Sequence, residues 1–170
     1  MKNTKKLILS ALFLALAFVM PFLTGQIPKI GAMLCPLHIP VLLCGFLCGW
    51  PYGLAVGFIA PLFRSFTLGM PPFLTALAMA FELAAYGAIT GVMHRILPKK
   101  KPYIYVSLLT AMVFGRLVWG AATFIILTNG GGAFTFSAFL MGAVINALPG
   151  ILVQIVLIPL LVMALSKPKL

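Results

Sequence analysis

The acidic side chain of Glu82, the only one in the chain, lies near the middle of an apolar segment that runs from Pro72 to Leu97. The segment follows Pro71 and is succeeded by the basic residues 99–101. At 1.5 Å per residue it is long enough to cross the ~30 Å hydrocarbon core of a bilayer, with Glu82 about 15 Å from its start. A charge at that depth costs at least ~2.5 kcal/mol, so the fold must supply it with a partner or a wet cavity.

The rest of the chain is equally apolar. Hydrophobic residues make up 63% of the sequence and charged residues 8%, which leaves too little polar surface for a soluble domain of 170 residues. The composition therefore predicts an integral protein of the cell membrane. The net charge of +11 does not indicate nucleic-acid binding, because the basic residues flank apolar runs instead of forming one patch.

The apolar runs predict one all-α membrane domain over residues 1–170, a compact bundle of six transmembrane helices at approximately 7–23, 39–49, 53–66, 72–97, 103–128 and 136–165. The first run resembles a signal peptide, but the residues after it lack a cleavage pattern, and we interpret it as a retained helix. A turn at Trp50-Pro51-Tyr52 is predicted to separate the second helix from the third. Glycines at every fourth position, which would also permit close packing, are Gly45, Gly49, Gly53 and Gly57.

The basic residues predict the orientation. With both termini on the cytoplasmic side, one basic residue, Lys29, lies outside, in the loop predicted for residues 24–40. Nine lie inside: Lys2, Lys5, Lys6, Arg95, Lys99, Lys100, Lys101, Lys167 and Lys169. This asymmetry is the positive-inside signal, and it predicts that the helix carrying Glu82 runs from outside to inside.

Three further polar residues, Arg64, Arg116 and Asn146, are predicted within helices. Such groups should face one another or a cavity. One interpretation is structural, with Glu82 paired to an arginine to hold the bundle. The other is a ligand site, because two arginines and one carboxylate leave an excess positive charge that would suit a bound carboxylate. The predicted substrate-binding residues are Arg64, Glu82, Arg116, Trp119 and Asn146.

The neighbours of these residues extend the pattern. One face of the fifth helix carries Arg116, Trp119, Gly120 and Thr123. The sixth helix repeats small and amide residues at Gly142, Asn146, Gly150 and Gln154. Either set is compatible with a pocket wall or with interhelical packing. We favour Asn146 over Gln154 for the ligand, since Gln154 lies about 12 Å deeper by helical rise.

Catalysis and metal binding have little support in the sequence. Cys35, Cys44 and Cys48 are predicted to be small buried residues. His38 and His94 lie near helix ends, are predicted to be solvated, and have no second metal ligand at a suitable spacing. No nucleotide-binding loop and no catalytic set of residues is present, which predicts a non-catalytic protein without a cofactor.

Small residues form two stripes at four-residue spacing. The stripe in the fourth helix, which we assign to internal packing, comprises Ala76, Ala80, Ala84 and Ala88. The first helix carries Ala11 and Ala15, and there the stripe is equally compatible with docking of another protein.

Three segments resemble helices of the substrate-binding S components of energy-coupling factor (ECF) vitamin transporters. The first helix of that family is similar to ALFLALAFV, its second and third helices to LHIPVLLCGFLCGWPYGLAVGF, and its sixth helix to NALPGILVQIVLIPLL. The resemblance covers nearly the whole chain. It implies capture of a vitamin or precursor from outside, docking through Ala11 and Ala15 on a transmembrane coupling subunit, and two cytoplasmic ATPase subunits that drive release.

The identity of the substrate stays open at this point. Pantothenate, riboflavin, folate and pyrimidine precursors are all compatible with the resemblance, and the excess of arginine favours an anion such as pantothenate. The alternative function is a stand-alone secondary transporter or small channel that uses Glu82 as a proton site.

Overall fold

The computed structural model describes residues 3–24, 27, 33–98, 100–130 and 135–165, and this part of the chain is helical without a strand. The α-helices of five or more residues within it are α1 (Asn3–Val19), α2 (His38–Cys48), α3 (Trp50–Leu68), α4 (Phe73–Ile96), α5 (Lys101–Asn129), α6 (Phe136–Leu140) and α7 (Leu148–Leu165). A 3₁₀ turn, Met20–Thr24, follows α1, and a π-helical segment, Met141–Ile145, follows α6. The predicted all-α class is confirmed.

Four segments are long and apolar enough to cross a membrane: Asn3–Phe22, Phe73–Ile96, Lys101–Asn129 and Leu148–Leu165. Two shorter apolar helical segments are His38–Cys48 and Phe136–Ile145. The six crossings with both termini in the cytoplasm remain a prediction. Residues 25, 26 and 28–32 of the predicted loop 24–40 lie outside the described residues, as do the basic residues Lys2, Lys29, Lys99, Lys167 and Lys169.

The break between α2 and α3 lies at Gly49, not at the predicted Trp50–Tyr52 turn. Gly49 has a φ of 98°, a conformation that side chains with a Cβ rarely adopt. Trp50 and Tyr52 belong to the first turn of α3, and Pro51 lies there with them. Proline fits the first turn because its missing N–H would have no helical partner at that position.

The predicted continuous helix over 136–165 is also wrong. The chain passes from α6 into the π-helical segment, where the Asn146 N–H donates to the Met141 carbonyl at 2.8 Å, and α7 then begins at Leu148. Pro149 accounts for the interruption, since it has no N–H to continue the preceding helical ladder and instead lies in the first turn of α7, where no such bond is needed.

Glycines allow α4 to pack closely against α2 and α3. A Cβ built on Gly87 would overlap the Gly53 backbone, one on Gly57 would overlap the Leu83 backbone, and one on Gly45 would overlap Gly87. Three of the four predicted packing glycines therefore do pack, and Gly49 forms the turn instead. On α4 the stripe residues Ala76 and Ala80 are fully buried, as predicted, whereas Ala84 and Ala88 are half-buried. The largest fully buried apolar side chains of the surrounding core are Tyr86, Leu42, Leu83, Leu108 and Ile158.

We expect Gly87→Ala to destabilise the fold, because its added methyl group would meet backbone atoms of Gly53 that cannot rotate away. Overpacking of this kind costs about 1–3 kcal/mol. Gly130→Ala is the matched control, since its methyl group would lie 3.4 Å from the nearest atom, the Ile126 carbonyl oxygen. Thermal unfolding in detergent should show a lower midpoint for the first variant alone; equal midpoints would contradict the packing described.

Candidate functional site

A cavity of about 580 Å³ opens among the helices at the end of the bundle where α1 ends and α4 begins. Its size is within the range of small-molecule sites in proteins. The walls come from the residues after α1, the start of α2, the end of α3, the first half of α4, the middle of α5 and the π-helical segment. All the side chains predicted from sequence to bind a substrate line this cavity: Arg64, Glu82, Arg116, Trp119 and Asn146.

Glu82 and Arg116 form a salt bridge across the interface of α4 and α5. Arg116 Nη1 lies 2.8 Å from Glu82 Oε1, and the Glu82 side chain is almost fully buried. The predicted pairing of the acidic residue with an arginine is therefore present, and Arg116 is the arginine that makes it. Because Glu82 is the only acidic residue of the chain, no other side-chain carboxylate exists for a second arginine.

His38 also contacts Glu82, with Nε2 3.3 Å from Oε1. A carboxylate only accepts, so Nε2 is the donor. The ring is buried and meets Tyr86 edge to face, with centroids 5.0 Å apart. The predicted solvation of His38 is wrong, because α2 is enclosed by protein along its length and every one of its residues except Leu47 is buried. A sequence signal for the burial of His38 does exist, because it is a single polar residue in an apolar run, as Glu82 is.

The other nitrogens of Arg116 are also surrounded by protein. Nη2 lies 3.6 Å from the Sγ atom of Cys35, within reach of a weak hydrogen bond. Nε is buried and has no hydrogen-bond partner in the described part of the chain. Arg116 therefore directs its donors mainly at groups that hold the helices together.

Arg64 lies near the end of α3 and is 3% exposed. Its Nη1 donates to the carbonyl oxygen of Phe18 at 2.8 Å, and its guanidinium lies 5.3 Å from the ring centroid of Phe22. Both contacts connect it to the end of α1. Neither supplies a negative charge, so with Glu82 and Arg116 cancelling each other, Arg64 leaves the cavity with a positive charge.

Only some members of the two polar sets predicted on the last helices line the cavity. Trp119 stacks on Phe139 with centroids 6.3 Å apart, whereas Gly120 packs against the same ring. The cavity wall includes Trp119, Gly142 and Asn146 among the described residues, but not Gly120, Thr123, Gly150 or Gln154. Gln154 is buried within the bundle.

No group of three or more His, Cys, Asp or Glu residues that would hold a metal ion occurs among residues the structure describes. Cys35, Cys44 and Cys48 are buried and are not in disulfides, as predicted. Cys35 lies in the wall of the cavity beside Arg116.

The sequence matches one family of known proteins along most of its length. The family model described as "ECF transporter, substrate-specific component" matches residues 5–162. No curated protein and no solved structure matches the chain. The family consists of membrane transport subunits that are not catalytic, and membership implies a small-molecule substrate and interaction with the coupling and ATPase subunits of an ECF transporter. The match spans nearly the whole sequence and confirms the resemblance: the chain belongs to the family of substrate-specific components of ECF transporters.

Proposed function

We propose that this chain is the substrate-binding subunit of an ATP-driven ECF importer and that it captures a vitamin or vitamin precursor, an anion such as pantothenate, from outside the cell. The observation that carries the proposal is the cavity itself. Its walls combine two arginines, one carboxylate, an indole and an amide, at a volume of about 580 Å³. A few polar groups on an otherwise apolar wall are typical of sites that bind small molecules.

The position of the cavity supports capture from outside. The cavity lies at the end of the bundle where α1 ends and α4 begins. The described basic residues at helix ends lie at the opposite end of the bundle: Lys5, Lys6, Arg95, Lys100 and Lys101. Basic residues concentrate on the cytoplasmic side of membrane proteins, so this orientation directs the cavity outward.

The surface of α1 supports docking of a partner. Ala11 and Ala15 are exposed, whereas Phe13 and Ala17 on the other face are buried in the bundle. Small residues on an exposed face let another helix approach closely. The proposed occupant is the transmembrane coupling subunit, which would connect the chain to two cytoplasmic ATPase subunits.

One observation bears on the alternative function, a proton-coupled transporter or channel. Glu82 lines the cavity beside His38, so two groups able to exchange a proton are in contact there. The 2.8 Å salt bridge to Arg116 favours a structural role instead, because the carboxylate connects α4 to α5 through its arginine partner.

The lone chain should bind a small molecule and should not accumulate it. Mass spectrometry of small molecules released from the purified protein would identify what it carries. Proteoliposomes containing the chain alone should show no uptake of that molecule, whereas those that also contain the coupling and ATPase subunits should accumulate it when ATP is supplied. Uptake by the lone chain under a proton gradient would contradict this function and support the alternative.

Removing the carboxylate tests its structural role. Glu82→Gln should lower the free energy of unfolding by about 3–5 kcal/mol, because it leaves the Arg116 guanidinium buried without a counter-charge. The double variant Glu82→Gln/Arg116→Gln should recover part of that loss. Thermal or denaturant unfolding in detergent measures both. A Glu82→Gln protein as stable as the wild type would remove the basis for a structural salt bridge.

A bulky residue on the exposed face of α1 should block assembly. We expect Ala11→Leu and Ala15→Leu to abolish co-purification with the coupling subunit while leaving small-molecule binding unchanged, since neither residue lines the cavity. Ala121→Leu, on an exposed position of α5, is the control and should co-purify normally. Normal co-purification of the α1 variants would exclude this face as the docking surface.

A further inference from the structure

We infer that the cavity selects a substrate with a single carboxylate group and that Arg64, not Arg116, binds this group. The inference rests on the proposed binding function and narrows its substrate class. It depends on how the two arginines differ in their hydrogen bonds, in their charge balance and in the groups that surround them.

Arg116 is not free to receive an anion. Its Nη1 is engaged by Glu82 at 2.8 Å, and its Nη2 lies 3.6 Å from Cys35 Sγ. Its Nε is enclosed by protein and offers no accessible edge. An incoming carboxylate would have to displace Glu82, which is itself buried and would then lose its counter-charge.

Arg64 has the opposite arrangement. One nitrogen, Nη1, donates to the Phe18 carbonyl, and the plane of the guanidinium rests near the Phe22 ring. Nε and Nη2 have no hydrogen-bond partner among the residues described. These two nitrogens form one edge of the guanidinium, whose parallel N–H groups match the two oxygens of a carboxylate. Because Phe18 and Phe22 hold the group in place, little ordering is left for binding to cost.

The charges favour a ligand with one negative charge. Glu82 and Arg116 cancel, so Arg64 contributes the remaining formal charge of the arginine and glutamate side chains in the cavity wall. A monoanion neutralises it. A phosphate ester, with about −1.5 to −2 charges, would leave a buried excess of negative charge. A neutral ligand would leave the guanidinium uncompensated.

The rest of the wall suits an uncharged body attached to the carboxylate. Met70, Pro71 and Met79 supply an apolar side, and Asn146 supplies an amide that donates or accepts. The expected substrate is therefore a small monocarboxylate whose remaining part is neutral.

The test uses matched pairs of vitamins that differ only at the carboxylate. Binding of pantothenate and pantothenol, nicotinate and nicotinamide, and biotin and biotinamide to the purified chain is measured by calorimetry, together with mass spectrometry of the molecule the protein carries from the cell. We expect the carried molecule to be a monocarboxylate. Its amide or alcohol counterpart should bind roughly 10- to 150-fold more weakly, the range of a lost hydrogen bond to a charged group.

Variants assign the preference to one residue. Arg64→Gln should weaken binding of the carboxylate by the same factor and leave binding of its neutral counterpart unchanged, and Arg64→Lys should keep part of the preference. Arg95→Gln removes a positive charge from an exposed position at the other end of α4 and should change neither affinity. The readout is the ratio of the two affinities, which a merely destabilised protein would not alter selectively.

Several outcomes overturn the inference. A neutral, cationic or phosphorylated carried molecule contradicts the substrate class while leaving the binding function intact. Equal loss of both members of a pair in Arg64→Gln contradicts the role of Arg64. A purified chain that carries and binds no small molecule overturns the binding function, and this inference with it.

Discussion

The salt bridge between Glu82 and Arg116 is the interaction on which the rest of the site depends. It joins α4 to α5 at 2.8 Å, and His38 brings the start of α2 to the same carboxylate. The single buried carboxylate is thereby contacted by polar side chains from two other helices, α5 and α2. Because the chain has no second acidic residue, this arrangement leaves Arg64 as a cation without a side-chain counter-charge and gives the cavity its electrostatic character.

The cavity and the proposed docking helix are structurally continuous. Arg64 reaches from α3 to the end of α1 through the Phe18 carbonyl and the Phe22 ring, while Ala11 and Ala15 lie exposed on the same helix. Glycines also let α4 pack closely on α3, the helix that carries Arg64. A chain that binds substrate at one end of α1 and a partner along its length would thus need no separate domain for either task.

Much of the site could be predicted because isolated polar residues are costly in an apolar environment. Arg64, Glu82, Arg116 and Asn146 interrupt apolar runs, and such residues must converge on one another or on water. His38 meets the same criterion, but its position at a helix end predicts solvation, because the sequence does not show that α2 is surrounded by protein. The interruption of the last helix was missed because Pro149 breaks a hydrogen-bond ladder within a run whose hydropathy does not change.

The sequence by itself determined that this chain is an all-α membrane protein, that Glu82 needs a positive partner, and that small residues on α3 and α4 allow close approach. Those properties follow from composition, spacing and the energetic cost of burying charge. Only the tertiary structure decided that Arg116 pairs with Glu82 and that Arg64 does not. The choice depends on which helices are neighbours and on how each is rotated about its axis. The sequence alone does not distinguish the two arginines as partners of Glu82, whereas the packing of α4 against α5 brings Arg116 within 2.8 Å of the carboxylate.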